Sequence, residues 1–166
     1  MIVLTLSLIT LLNLFLQSSI LPYLSIFGVV PNTALLIIIS IGLYKGRIYG
    51  GIMGLIIGII QDILFSPVLG INSFIYFFIG YVVGLTQNKL SKDNILIPIL
   101  FSILGTVFYN FAYYVFMFFL SHDIPFLYFL KDVLTIEIIY NIVLCIPIYK
   151  IFSKIFVVPK IRFGSR

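Results

Sequence analysis

Polar residues are sparse along this chain and divide it into six apolar stretches separated by short polar or Gly/Pro-containing breaks. Apolar runs of about 18 residues or more have the length of a helix that crosses a bilayer. The pattern predicts spans at about 1–21, 27–44, 48–65, 71–88, 95–120 and 131–149, with residues 150–166 as a basic tail. The expected architecture is an all-α membrane protein: six transmembrane helices in one integral domain. In the first span Thr10, Asn13 and Gln17 recur at i, i+3 and i+7, a polar stripe that should face other helices. The second span is short, because Pro31, suited to a first helical turn, stands only roughly 21 Å of helix from Tyr44. Lys45-Gly46-Arg47 then leaves room for no more than a tight turn.

The third span carries Gly46, Gly50, Gly54 and Gly58 at every fourth position, and the next step lands on Asp62. Glycine inside a water-exposed helix costs roughly 1 kcal/mol, whereas in lipid small residues let a neighbouring helix come close. Gly80 and Gly84 repeat the spacing in the fourth span. Steps of four drift by roughly 40° on a 3.6-residue helix, so the stripe is expected to wind around the helix and need not serve one flat interface. Asp62 is the only acidic residue between Met1 and Lys92. Near a helix C-terminus, where the dipole disfavours an anion, it should be bonded to amides such as Asn32 and Asn72 unless it carries a proton.

Composition removes the soluble classes. With 62% hydrophobic and 9% charged residues, a water-facing surface could not be covered. The net charge of +5 is not a nucleic-acid footprint, because of where the basic residues fall. In a six-span topology Lys45, Arg47, Lys89, Lys92, Lys150, Lys154, Lys160, Arg162 and Arg166 share one side and Lys131 alone takes the other. The positive-inside rule then puts both termini in the cytoplasm, against an anionic leaflet. The tail should lie along that interface with Phe152, Phe156 and Phe163 in lipid. The first run lacks a basic n-region and a small-x-small cleavage site, so it reads as a span and not as a cleaved signal peptide. A lone Cys145 allows no internal disulfide, and a lone His122 builds no metal site.

Counting about 1.5 Å per residue from each cytoplasmic end brings Gln17, Asn32, Asp62, Asn72, Asn110 and Glu137 to roughly 20–25 Å. Each helix thus offers one amide or carboxylate at a similar depth. Buried singly in hydrocarbon such groups are costly, so they should turn inward and meet. The expectation is an outward-opening polar cavity floored by glycine-packed helices. The competing reading is structural: Asn13, Gln17 and Asn110 as interhelical glue, Asn32 as a helix cap. Chemistry is not indicated. Paired carboxylates, a nucleophile–base pair and a phosphate-binding glycine loop are all missing. His122 stands beside Asp123 in a connection, and the tyrosines of 109–114 read as packing and interface anchors. No cofactor is expected.

The block from Pro31 to Gly84 resembles the rod-shape-determining membrane protein family MreD. The likeness is carried by Pro31-Asn32 opening an apolar helix, by Gly58-Ile59-Ile60-Gln61-Asp62-Ile63 followed by Leu69-Gly70, and by Tyr81 and Gly84 closing the next helix. Asn32 departs from the Pro-Asp common in the family. The resemblance implies a non-enzymatic component of the bacterial elongation machinery (elongasome) for lateral peptidoglycan synthesis, in the cell membrane. It also implies MreC as a direct partner, with MreB, RodA and a class B penicillin-binding protein in the same assembly. The fold would be similar to the substrate-binding components of energy-coupling-factor transporters. The alternative function is thus a small-molecule (vitamin) binding subunit of such an importer. Exposed aromatics of 121–129 and the glycine stripes would be the docking surface in the first case.

Overall fold

A computed structural model describes residues 2–26, 28–90, 94–120 and 134–156. The expectations resting on Lys92, His122, Lys131, the aromatics of 121–129 and the tail beyond 156 lie outside the described residues. The described chain folds into six α-helices: α1 (Ile2–Phe15), α2 (Thr33–Lys45), α3 (Arg47–Phe65), α4 (Ile71–Gly84), α5 (Leu96–Phe119) and α6 (Leu134–Phe156). Four segments, Leu4–Leu24, Arg47–Phe65, Leu96–Phe119 and Thr135–Phe156, are long and apolar enough to cross a membrane, while α2 and α4 are shorter apolar helices.

Local chemistry sets the element ends. Beyond α1 the chain widens into a π turn over Leu16–Ile20 and tightens into a 3-10 turn over Leu21–Leu24, with Pro22 in its first turn, where a missing N–H does no harm. Asn32 caps α2, its Oδ1 accepting from the Leu35 N–H at 3.0 Å. Gly46 alone separates α2 from α3, at φ +89°, a conformation that L side chains rarely adopt. α4 ends at Gly84, short of the 88 expected, because the chain turns there and the Gln87 amide folds back to donate to the Tyr44 carbonyl at 2.9 Å. α6 continues past 149 to Phe156.

The bundle is organised around α2. Every residue from Thr33 to Tyr44 is buried, and α2 packs against α3, α4, α5 and α6. A helix apolar on all sides is a core helix. Around it, α1, α3, α4 and α5 turn Leu4, Leu8, Ile63, Phe74, Leu100 and Phe111 outward, an apolar exterior suited to lipid. At the far end of α2 the Tyr44 ring stacks on Tyr149 (4.8 Å between centroids), and the Lys45 ammonium sits 4.5 Å above Phe156. Phe152, which the tail reading gave to lipid, is buried in this end of the core, and the half-buried Phe156 packs beside it.

The glycines act together. A Cβ on Gly50, Gly54 or Gly58 would run into the backbone of Gly80, Tyr76 or Ser73 respectively, and one on Gly84 into the backbone of Arg47. As α3 advances, its contacts descend α4, so the helices are antiparallel and in backbone contact. Gly50, Gly54 and Gly58 therefore share α4 as a neighbour despite the drift, and Gly50 also lies against Gly42 of α2. A row at i, i+4 runs obliquely over a helix, and a partner crossing obliquely stays on it. Gly42 of α2, unnoticed in the spacing, joins them: its Cβ would lie 3.1 Å from the Gly80 carbonyl. Gly46 faces the Gln87 side chain instead.

Candidate functional site

Asp62 ends near the C-terminus of α3, but its carboxylate belongs to α4. Oδ1 accepts from the Asn72 N–H (3.0 Å), and Oδ2 accepts from the N–H groups of Gly70 and Ser73 (both 3.0 Å) and the Ser73 hydroxyl (2.6 Å). Gly70 holds the N-cap position of α4 at φ +101° and has no side chain with which to cap. A carboxylate from eight residues upstream supplies that acceptor, at the helix end where the dipole favours an anion. This corrects the expected partners: Asp62 bonds the backbone of Asn72, and neither the Asn72 nor the Asn32 side chain.

The other polar groups form two clusters beside α2. In one, Thr33 donates to the Asn13 Oδ1 (2.7 Å), and the Gln17 Oε1 accepts from the Gln61 Nε2 (2.6 Å) and the Asn13 Nδ2 (3.4 Å). These bonds fasten the end of α1 to α2 and α3. In the other, Asn110 donates to Glu137 (2.8 Å), and Asn141 donates to the Thr106 hydroxyl (2.8 Å) while its Oδ1 accepts the Asn32 N–H (3.0 Å). The Tyr76 hydroxyl donates to the Asn32 Oδ1 (2.9 Å) and that of Tyr109 to the Asn72 Oδ1 (2.6 Å), the two rings stacking at 5.2 Å. Glu137 is buried and makes no ion pair among the described residues.

Where the clusters meet, a cavity of about 270 Å³ is lined by Gln17, Asn32, Gln61, Tyr76, Tyr109 and Glu137 and by the connecting stretch from Gly28 to Pro31. Of the six residues placed at one depth, Gln17, Asn32 and Glu137 line it. Asn72 stands behind Tyr109, Asn110 behind Glu137, and Asp62 is turned away. Sequence reasoning missed Tyr76 and Tyr109 as network members, whereas Asn141 was legible at i+4 from Glu137, to which it donates at 3.5 Å. The signal for the two tyrosines was spacing: Tyr76 is one turn from Asn72, and Tyr109 adjoins Asn110. A larger void of about 420 Å³ between α1 and α3 is an apolar groove along Leu11, Leu14, Ile52, Met53 and Ile56. Among the described residues no group of three or more His, Cys, Asp or Glu is placed to hold a metal.

Asn141 is the most connected amide, so it bears a direct test. Asn141→Leu leaves the Asn32 N–H without its partner in a buried site, and is expected to cost about 2–3 kcal/mol. Tyr76→Phe keeps the ring stack and should cost about 1 kcal/mol. Denaturation in mixed micelles measures both, and equal losses would mean that Asn141 is not the link described.

Fold and site together define a helical membrane protein whose inward polar groups hold helices to one another. A family described as rod shape-determining protein MreD matches residues 1–155, and the chain belongs to that family. Membership gives it a rod-shape-determining role, in a family known as shape-determining and not as enzymes. No curated protein and no solved structure gave a match.

Proposed function

We propose that the chain is a non-enzymatic scaffold of the elongation machinery that docks MreC and positions RodA, a class B penicillin-binding protein and MreB for lateral wall synthesis. The observation that carries this is the family match over residues 1–155, and the use of the polar groups supports it: Asp62, Asn32, Asn110 and Asn141 are all engaged in fastening helices. All six helices cross the cell membrane, the short α2 and α4 being carried by their neighbours, with both termini cytoplasmic. In this orientation Lys45, Arg47, Lys150 and Lys154 meet the anionic leaflet.

The glycine stripes are spent inside the chain, so they are not the docking surface. The groove between α1 and α3 takes that role. Its walls are apolar, and Ser7 and Thr10 are small enough for a partner helix to lie close. Detergent pull-down of MreC with this chain is the test. Ile56→Trp and Leu11→Trp, both at exposed groove positions, should each reduce MreC capture at least fivefold without lowering the melting temperature. Tryptophan at the equally exposed Phe111 of α5 should leave capture unchanged. Full capture by both groove variants would move the docking surface elsewhere; no capture by the wild-type chain would remove MreC as a direct partner.

A further inference from the structure

Nothing in the shape-determining role requires the polar cavity, and its wall carries a buried carboxylate. The Tyr109 hydroxyl gives its proton to Asn72 and keeps its oxygen as an acceptor, while Tyr76 is fully buried and bonded to Asn32. One hydrogen of the Gln61 amide goes to Gln17, which leaves its second hydrogen and its Oε1, the latter an acceptor. Glu137 is the one formal charge among the lining residues, and only amides reach its carboxylate. Gln17 and Asn32 use their amide oxygens as acceptors for neighbouring donors, so they turn NH₂ groups toward the cavity. A buried carboxylate without a cation is costly, and stacked tyrosines favour a cation nearby.

We infer that this cavity is a binding site for a primary ammonium group, held by Glu137 with the Gln61 and Tyr109 side-chain oxygens as its further acceptors. The three N–H donors of one compact cation match the three acceptors supplied by Glu137, Gln61 and Tyr109. The volume, about 270 Å³, is roughly that of nine waters, so it admits a small amine or a lipid headgroup and not a large cofactor. Gly28, which lines the site, is exposed, so both a free amine and the ethanolamine headgroup of a phospholipid could reach it. The inference does not depend on which proteins the chain docks.

The test uses the full chain in nanodiscs of phosphatidylglycerol alone, titrated calorimetrically with ethanolamine or 1,4-diaminobutane, with 1,4-butanediol and succinate as controls. Both amines are expected to give saturable binding and the two controls none. Glu137→Gln keeps an acceptor for Asn110 and should weaken the amines at least tenfold. Val30→Phe, a lining position that makes none of the network's side-chain bonds, should abolish binding while the melting temperature stays within a few degrees. Adding phosphatidylethanolamine to the nanodiscs separates the sources. Loss of the amine titration assigns the site to the headgroup, and an unchanged titration assigns it to a free amine. The inference is overturned if the folded wild-type chain binds neither amine, if succinate binds as well, or if both variants bind like wild type. The first of these outcomes would mean that Glu137 is neutralised without a cation.

Discussion

Asp62→Asn is expected to unfasten the start of α4 and to lower stability by roughly 2–4 kcal/mol. The carboxylate accepts from three backbone N–H groups and one hydroxyl with its two oxygens. An asparagine keeps one oxygen and turns an NH₂ toward a backbone N–H at the other position, so at least one bond is lost and two donors face each other. Hydrogen bonds to charged acceptors are the stronger kind, about 1.5–3 kcal/mol each, and the dipole of α4 adds to the loss. Asp62→Leu removes every acceptor and should cost on the order of 5 kcal/mol, enough to prevent accumulation of folded chain. Ser73→Ala removes only the hydroxyl and should cost about 1–2 kcal/mol. Denaturation in mixed micelles ranks the three, and limited proteolysis between Ser66 and Gly70 reports where the structure opens. If Asp62→Asn melted like wild type while shape complementation failed, the carboxylate would be acting on something other than α4.

That role explains a pairing which the sequence displays without accounting for it. Asp62 and Leu69-Gly70 stand together in the family-like block because one supplies the acceptor that the other lacks. The donors themselves were illegible. They are backbone amides across a turn, and no residue type marks them. The depth count did better for Gln17, Asn32 and Glu137, since rise per residue is a property of the helix alone. It could not give rotation about each axis, which is fixed by neighbours, and so it placed Asp62 and Asn110 with the cavity residues. The centrality of α2 was hidden for another reason. Lipid and protein interior are equally apolar, so hydropathy does not separate a helix wrapped by protein from one facing lipid. The shortness of α2 was visible; its burial was not. Gly42 escaped for the same cause, being a single glycine whose importance comes from Gly50 and Gly80 on two other helices.

Gly54 and Gly51 lie three residues apart on α3 and should answer differently to the same added methyl group. On Gly54 the new carbon meets the Tyr76 carbonyl and the Phe77 nitrogen, which are backbone and cannot rotate away. On Gly51 it meets the edge of the Phe77 ring at 3.2 Å and the Tyr81 Cβ at 3.6 Å, and the ring can move. Gly51→Ala should therefore stay within about 1 kcal/mol of wild type, while Gly54→Ala should lose about 3 kcal/mol, the upper end for an overpacked core. The larger loss has a structural route. Pushing α4 from α3 at Tyr76 draws the Tyr76 hydroxyl from Asn32 and the α4 amides from Asp62, so packing and polar network fail together. Gly50→Ala and Gly80→Ala, which meet at the same point, should be strongly non-additive when combined, because one separation of the helices relieves both clashes. Melting of these variants, with restored cell shape as a second readout, distinguishes the cases. A Gly54→Ala chain as stable as Gly51→Ala would mean that α3 and α4 do not meet backbone to backbone, and that the stripe faces lipid or a partner instead.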